Sequence, residues 1–268
     1  TRHSTLFPYT TLFRSARLNV AVIGGGWAGL AAAVELVTAG AEVTVFEAAK
    51  QLGGRARSVE THGHLLDNGQ HLLIGAYRES LRLMRRLGTE TLLERRPLHL
   101  SLPGFRLRLP RLPSPLHLAF GLFTASGLSL HDKLAAARFM LELQAQGFRL
   151  AADMPVSALL AQQPASLTEK LWAPLCLAAL NTAPQQASAQ VFCNVLRDSL
   201  AGTRADSDLL FNRSDMGNLL AEAAPAYLRQ RQCDIRLASR IDAFEQDADG
   251  FRLQGVDFHT DQLVLATH

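Results

Sequence analysis

Lysine is almost missing from this chain. Only Lys50, Lys133 and Lys170 occur among its 27 basic residues, so arginine carries the positive charge. Against 24 acidic residues the net charge is +3, and Arg2 and Arg14 supply two of those charges. So small an excess leaves no electrostatic footprint for nucleic acid. Cysteine is as scarce. Cys176, Cys193 and Cys233 form an odd set without a C-x-x-C pair, which excludes a disulfide framework and a thiolate metal site. They read as reduced thiols in core positions of a cytoplasmic protein. The nine histidines are scattered; His62 and His64 merely flank a glycine in a strand-like stretch, and no metal is expected. Leu116–Leu128 is apolar, but it is too short and too broken to supply the ~20 residues that span a bilayer. An apolar fraction of 48% with 19% charged residues excludes disorder. It allows one large α/β domain or two smaller ones.

The two ends read differently from the rest. Residues Thr1 to Ser15 have no initiator Met and no apolar signal core, and they resemble translated sequencing-adapter read-through. They are set aside as a non-native leader, with native sequence expected from about Ala16. At the other end Asp261 to Thr267 reads as a strand entering a sheet just as the chain stops. A fragment is expected at both ends.

What is present is a nucleotide-binding pattern. Val20-Ala-Val-Ile23 reads as a buried strand. It runs into Gly24-Gly25-Gly26-Trp27-Ala28-Gly29, which opens an alanine-rich helix that stops at Gly40. A second strand, Val43 to Phe46, ends on Glu47, twenty-three residues after Gly24. This is the spacing of the dinucleotide fingerprint. Gly24 permits the tight turn, Gly26 lets a pyrophosphate approach the backbone, and Gly29 lets the helix pack on the strand. The helix start at Trp27 aims free N–H groups and a positive dipole end at the phosphates. Glu47 is placed to accept both hydroxyls of an adenosine ribose, and its charge disfavours the 2′-phosphate of NADP.

Gly53-Gly54-Arg55-Ala56-Arg57 comes next. It resembles the GG-x-R segment of the flavoprotein family that includes amine oxidases, phytoene desaturases and protoporphyrinogen oxidases. The resemblance implies FAD as cofactor, with Gly53 and Gly54 along its diphosphate and Arg55 clamping a phosphate. It also implies that Asp67-Asn68-Gly69-Gln70-His71 brings backbone near the flavin ring, at Gly69 and Gln70; an ordinary Asn-Gly turn is the other reading. Ile241 is implied to meet the adenine through its backbone. The implied fold is α/β, a Rossmann-like FAD-binding domain of the two-dinucleotide-binding-domain type, with an inserted, mostly helical substrate domain. The expected boundaries are 16–95 for the first part of the FAD-binding domain, 96–231 for the substrate domain and 232–268 for the returning β-meander.

Between these parts the patterning changes. Tyr77 to Leu87 has helical spacing. Leu98 to Leu102 and Phe105 to Leu109 alternate with period two about Pro103-Gly104, a hairpin with residues suited to a type II turn. Ser129-x-x-Asp132 caps a helix to about Gln146, and Ser166-x-x-Glu169 opens another to Asn181, kinked at Pro174. Ala187 to Leu200 forms a third, and Asp215 caps a fourth, Leu219 to Arg231. Strands are expected at Asp234 to Leu237, Arg240 to Glu245, Phe251 to Gln254 and Leu263 to Ala266.

Leu171-Trp172-Ala-Pro174 through Asn181-Thr182, then Ala187 to Phe192 and Val195 to Asp198, narrow the resemblance. Together with Asp67 to Leu73 they resemble the hydroxysqualene dehydroxylase family of hopanoid synthesis, over nearly all of Leu18 to Ala266. That resemblance implies reductive removal of an allylic hydroxyl from hydroxysqualene to give squalene. His71 is the candidate proton donor, and a histidine tied structurally to the FAD loop is the alternative. Trp172, Asn181 and Arg197 are candidate cavity residues; core, helix C-cap and surface ion pair are their respective structural alternatives. A thirty-carbon chain does not diffuse freely through water, at roughly 0.8 kcal/mol per CH₂, so the partners implied are a hydrophobic isoprenoid and the inner face of a bacterial membrane. Leu116 to Leu128, with Phe120 and Phe123, is either a membrane-facing lip or a buried helix. Other enzymes of the fold (a carotenoid desaturase or amine oxidase) and a non-catalytic prenyl-lipid-binding protein are the rival readings.

Overall fold

The computed structural model describes residues 17–56, 58–67 and 72–267. In chain order the strands are β1 (Asn19–Ile23), β2 (Glu42–Phe46), β3 (Ser58–Thr61), β4 (His64–Asp67), β5 (Leu73–Ile74), β6 (Leu93–Arg96), β7 (His99–Leu102), β8 (Phe105–Arg108), β9 (Leu209–Asn212), β10 (Asp234–Arg236), β11 (Phe244–Gln246), β12 (Phe251–Leu253), β13 (Phe258–Thr260) and β14 (Gln262–Leu265). The helices are α1 (Trp27–Thr38), α2 (Arg78–Leu87), α3 (Leu116–Thr124), α4 (Leu130–Ala145), α5 (Val156–Leu159), α6 (Ala165–Leu167), α7 (Ala173–Leu180), α8 (Ala189–Leu196) and α9 (Ala223–Arg229). They fold into two compact units. The second comprises Leu72–Glu79 and Glu94–Phe211, and the first comprises the remaining described residues.

The first unit is built on a parallel sheet in the order β10-β2-β1-β14. Its two central strands, β1 and β2, are buried along nearly their whole length because both faces are covered. On one face Val20, Val22, Val43 and Val45 pack against Leu30, Ala33 and Val34 of α1. On the other, Ala21, Ile23 and Phe46 meet Leu253, Phe258 and Leu263, with Phe46 and Phe258 edge to face at 5.1 Å. Leu253 and Phe258 come from the antiparallel meander β11-β12-β13. Its first strand begins later than the alternation suggests: Arg240 to Ala243 has no strand pairing, and β11 starts at Phe244.

The expected boundary at residue 231 shifts. Leu220, Ala224 and Leu228 recur at i, i+4 and i+8 and join the core formed by α1 and the sheet. Asn212 to Arg231 therefore packs with the nucleotide-binding unit, and α9 is a third element over α1. Asp215 caps this segment as its position implies, accepting the Asn218 N–H at 3.1 Å.

In the second unit β7 and β8 form the expected hairpin, with Gly104 in the turn at φ +71°. α4 starts with a complete capping box. Ser129 Oγ accepts the Asp132 N–H at 3.1 Å, and Asp132 Oδ2 accepts the Ser129 N–H at 3.0 Å. Ser166 does not cap the next helix; α6 begins after Pro164, and Ser166 donates instead to Asp132 Oδ1 at 2.8 Å. The chain then passes through a wide π-type turn, Thr168–Trp172, into α7. That turn puts Pro174 in the first turn of α7, where a missing N–H is tolerated. Among the described residues no helix is long and apolar enough to cross a membrane.

Candidate functional site: a glycine cradle and an apolar cavity

A cavity of about 780 Å³ opens at the carboxyl ends of β1 and β2, the place where open α/β sheets bind ligands. Gly24, Gly26, Trp27, Ala28, Glu47, Gly53, Gly54, Arg55 and Ile241 all line it, with Ser239, Arg240 and Thr267. Sequence reasoning therefore brought most of its candidates to one place. The strand pairings explain why. Gly24 N–H donates to the Phe46 carbonyl at 2.7 Å, and Ala266 N–H to Ile23 at 2.8 Å. The segment bearing Ser239 and Ile241 is held by Ser239 N–H on the Glu47 carbonyl at 2.9 Å.

The glycines divide the labour. Gly24 sits at φ +109°, and a Cβ there would stand 2.6 Å from the Ala266 carbonyl oxygen. A Cβ on Gly29 would overlap the Gly24 carbonyl, so Gly29 serves helix–strand packing and does not line the cavity. Gly25 also lies off the cavity wall: a Cβ would collide with Leu52, and its N–H donates to Glu47 Oε2 at 2.6 Å. Of the fingerprint glycines Gly26 alone has open space among the described residues, its nearest neighbour there for a Cβ being Gly54 Cα at 3.9 Å. The two glycine turns are stitched together by the Gly53 N–H on the Gly25 carbonyl at 2.9 Å. Trp27 Nε1 completes the join on the Ala56 carbonyl at 3.0 Å.

These features fit a dinucleotide diphosphate. Gly26 caps α1 without any side chain filling the position, so the first N–H groups of a twelve-residue helix are left for an anion. Glu47 is fixed by backbone donors on both oxygens, Ala49 N–H reaching Oε1 at 2.7 Å. Gly69, Gln70 and His71 lie outside the described residues. Asp67, which precedes them, accepts the Met216 N–H at 2.8 Å and the Ser58 hydroxyl at 3.1 Å.

The family model for flavin containing amine oxidoreductases matches residues 27–268 of the chain. This chain belongs to that family. FAD is accordingly its cofactor. Hydroxysqualene dehydroxylase of Rhodopseudomonas palustris is 34% identical over 256 residues, which cover 92% of this chain and 58% of the relative. The enzyme of the same name from Sinorhizobium fredii is 29% identical, covering 92% and 59%. An oxidoreductase structure from Methanosarcina mazei superposes with a TM-score of 0.69 at 16% identity, covering 92% of this chain and 58% of that one. The chain thus spans a little under three fifths of the relatives it matches.

The second unit of this flavoprotein holds a separate cavity of about 500 Å³. Leu98, Leu100, Leu107 and Leu109 of the hairpin form one wall, Leu118, Ala119 and Leu122 of α3 a second, and Ala136, Ala137, Met140 and Leu141 of α4 a third. Leu171, Trp172, Leu175 and Leu200 close it. Trp172 is 2% exposed and lies 5.4 Å from the Phe139 ring; its buried N–H meets no acceptor among the described residues. Asn181 and Arg197 do not join it. Asn181 is the left-handed C-cap of α7 at φ +48°. Arg197 is a surface ion pair, gripping Asp198 through Nε at 2.7 Å and Nη2 at 3.1 Å. Both polar candidates thus take their structural alternatives.

His117 carried no signal in the sequence. It is fully buried on α3, and neither ring nitrogen has a protein partner among the described residues. Burial pushes its pKa below the ordinary 6.5, assisted by the Arg204 guanidinium and opposed by Asp208 and the Pro113 carbonyl. Asp208 is itself buried and held by Arg204 at 3.0 and 3.2 Å.

Proposed function

We propose that the full-length protein is an FAD-dependent oxidoreductase that converts hydroxysqualene to squalene. The observation that carries this reading is the 34% identity to a hydroxysqualene dehydroxylase over 92% of the chain. The net change replaces a C–O bond by C–H, consumes two electrons and two protons, and releases water. Bound in its reduced form, the flavin supplies the hydride. The chain's own residues bind and orient it. Gly24, Gly26, Gly53, Gly54 and Arg55 hold the diphosphate, Glu47 the ribose, and Ile241 the adenine edge through its backbone. An allylic C–O bond ionises readily once its oxygen is protonated, because the resulting cation is delocalised; His71 is the candidate donor of that proton. Shielding that centre from water favours hydride capture over return of water.

The hydrophobic substrate calls for peripheral contact with the inner face of a membrane. Supporting this, Leu116, Phe120 and Phe123 lie on one side of α3 and are 57%, 51% and 70% exposed. At ~1.5 Å per residue α3 is about 14 Å long, so it would lie in the interface, not cross it.

The test is incubation of full-length protein with hydroxysqualene and chemically reduced FAD, with products read by mass spectrometry. Squalene formation is expected. Turnover of phytoene or of an amine, without squalene, would replace this reading by one of its rivals. A protein that takes up no flavin but retains prenyl lipid would favour a non-catalytic carrier.

A further inference from the structure

We infer that the cavity between α3, α4 and the β7–β8 hairpin is a binding chamber for an uncharged hydrocarbon chain. Among the described residues no ionisable side chain lines it, and Ser114 and Gln144, its polar liners besides the Trp172 N–H, are both exposed. Apart from the buried N–H of Trp172, which meets no acceptor among the described residues, polar side-chain atoms are therefore at the mouth. Deeper in, the wall is Leu107, Leu109, Ala136 and Trp172, each nearly or fully buried. Folded interiors leave few voids larger than a water molecule, and about 500 Å³ lies within the ~300–1,000 Å³ of ligand pockets. With the Trp172 N–H as its one buried side-chain donor, the wall falls short of the two to four partners a water needs. A carboxylate, phosphate or ammonium would be buried without a counter-charge. What remains is a neutral chain.

The mouth is apolar on its outer side as well. Leu141 lines the cavity yet is 65% exposed, and Ala119 is likewise exposed. α3 presents Leu118 and Leu122 to the chamber and Phe120 and Phe123 to solvent. A single helix thus separates the chamber from the surface that meets lipid in the reading above. The chamber's chemistry specifies an uncharged chain; that the chain is an isoprenoid rests on the dehydroxylase reading.

The test uses the full-length holoprotein and tritiated squalane, a saturated chain that cannot react, delivered from cyclodextrin. Saturable binding of one squalane per flavin is expected. Ala119→Phe, which narrows the mouth, and Leu141→Arg, which charges it, are each expected to weaken binding about tenfold or more, with flavin content unchanged. Putrescine, a dication, is expected not to compete. A diazirine-bearing squalane analogue is expected to label peptides from 98–122 and 136–144, which locates the chain even if a variant misfolds. Labelling elsewhere, or squalane binding unaltered in both variants, overturns the chamber. Dehydroxylation that persists alongside that result leaves the enzymatic reading intact. Correctly placed squalane with no dehydroxylation leaves the chamber and removes the reaction.

Discussion

Gly25 donates its N–H to Glu47 Oε2 at 2.6 Å across the glycine turn. The bond fixes the acidic tip of β2 against the start of α1, so the carboxylate reaches the cradle with its position already set. A hydrogen bond to a charged acceptor contributes roughly 1.5–3 kcal/mol. Glu47→Ala is therefore expected to weaken FAD binding by about 10- to 100-fold, measured by flavin fluorescence on titrating the apoprotein. Affinity equal to wild type would remove the ribose-binding role.

Gly26 and Gly29 predict opposite outcomes for one substitution. Gly29→Ala drives a methyl into the Gly24 carbonyl and is expected to lower stability by about 1–3 kcal/mol, seen as a reduced Tm even without flavin. Gly26→Ala has open space and is expected to melt normally while retaining far less FAD, because its methyl stands where the diphosphate approaches. Equal Tm losses in both variants would contradict this division.

His117 is expected to be a liability for stability. Its folded pKa lies below 6.5, so the unfolded chain takes up the proton that the buried ring refuses. Stability is then highest above pH 6.5 and is lost as pH falls below it. His117→Leu removes two unpartnered nitrogens and is expected to stabilise by about 1 kcal/mol or more, with a flatter pH dependence between 7 and 5. Denaturant melts across that range decide it; a steeper dependence in the variant would contradict the burial argument.

Phe120→Ser with Phe123→Ser is expected to reduce flotation of the full-length protein with vesicles several-fold. Both side chains are exposed, so Tm and flavin content should hold. Unchanged flotation with an intact fold would end the idea of α3 as a membrane lip.

How much of this was legible beforehand depended on range. The placement of the cradle was legible because its signals are local: Gly24, Gly26 and Glu47 owe their positions to backbone geometry within one β-α-β crossover. The capping box at Ser129 and Asp132 and the Pro103-Gly104 hairpin were readable for the same reason. Ser166 was misread because its hydroxyl had a partner thirty-four residues away, Asp132, and a tertiary hydrogen bond displaced the local cap. Asn181 and Arg197 were proposed for a cavity on polarity alone, although a left-handed C-cap and a neighbouring aspartate satisfy them.

The amino-acid sequence by itself determined the parallel sheet, the glycine turn and the acidic tip, because strand burial, positive φ and helix capping are properties of short segments. Only the tertiary structure decided that residues 212–231 belong over α1, that His117 is buried without a protein partner, and that leucines from a hairpin and two helices enclose a chamber. Those facts depend on which apolar faces meet, and one apolar stripe looks like another until its partner is in place.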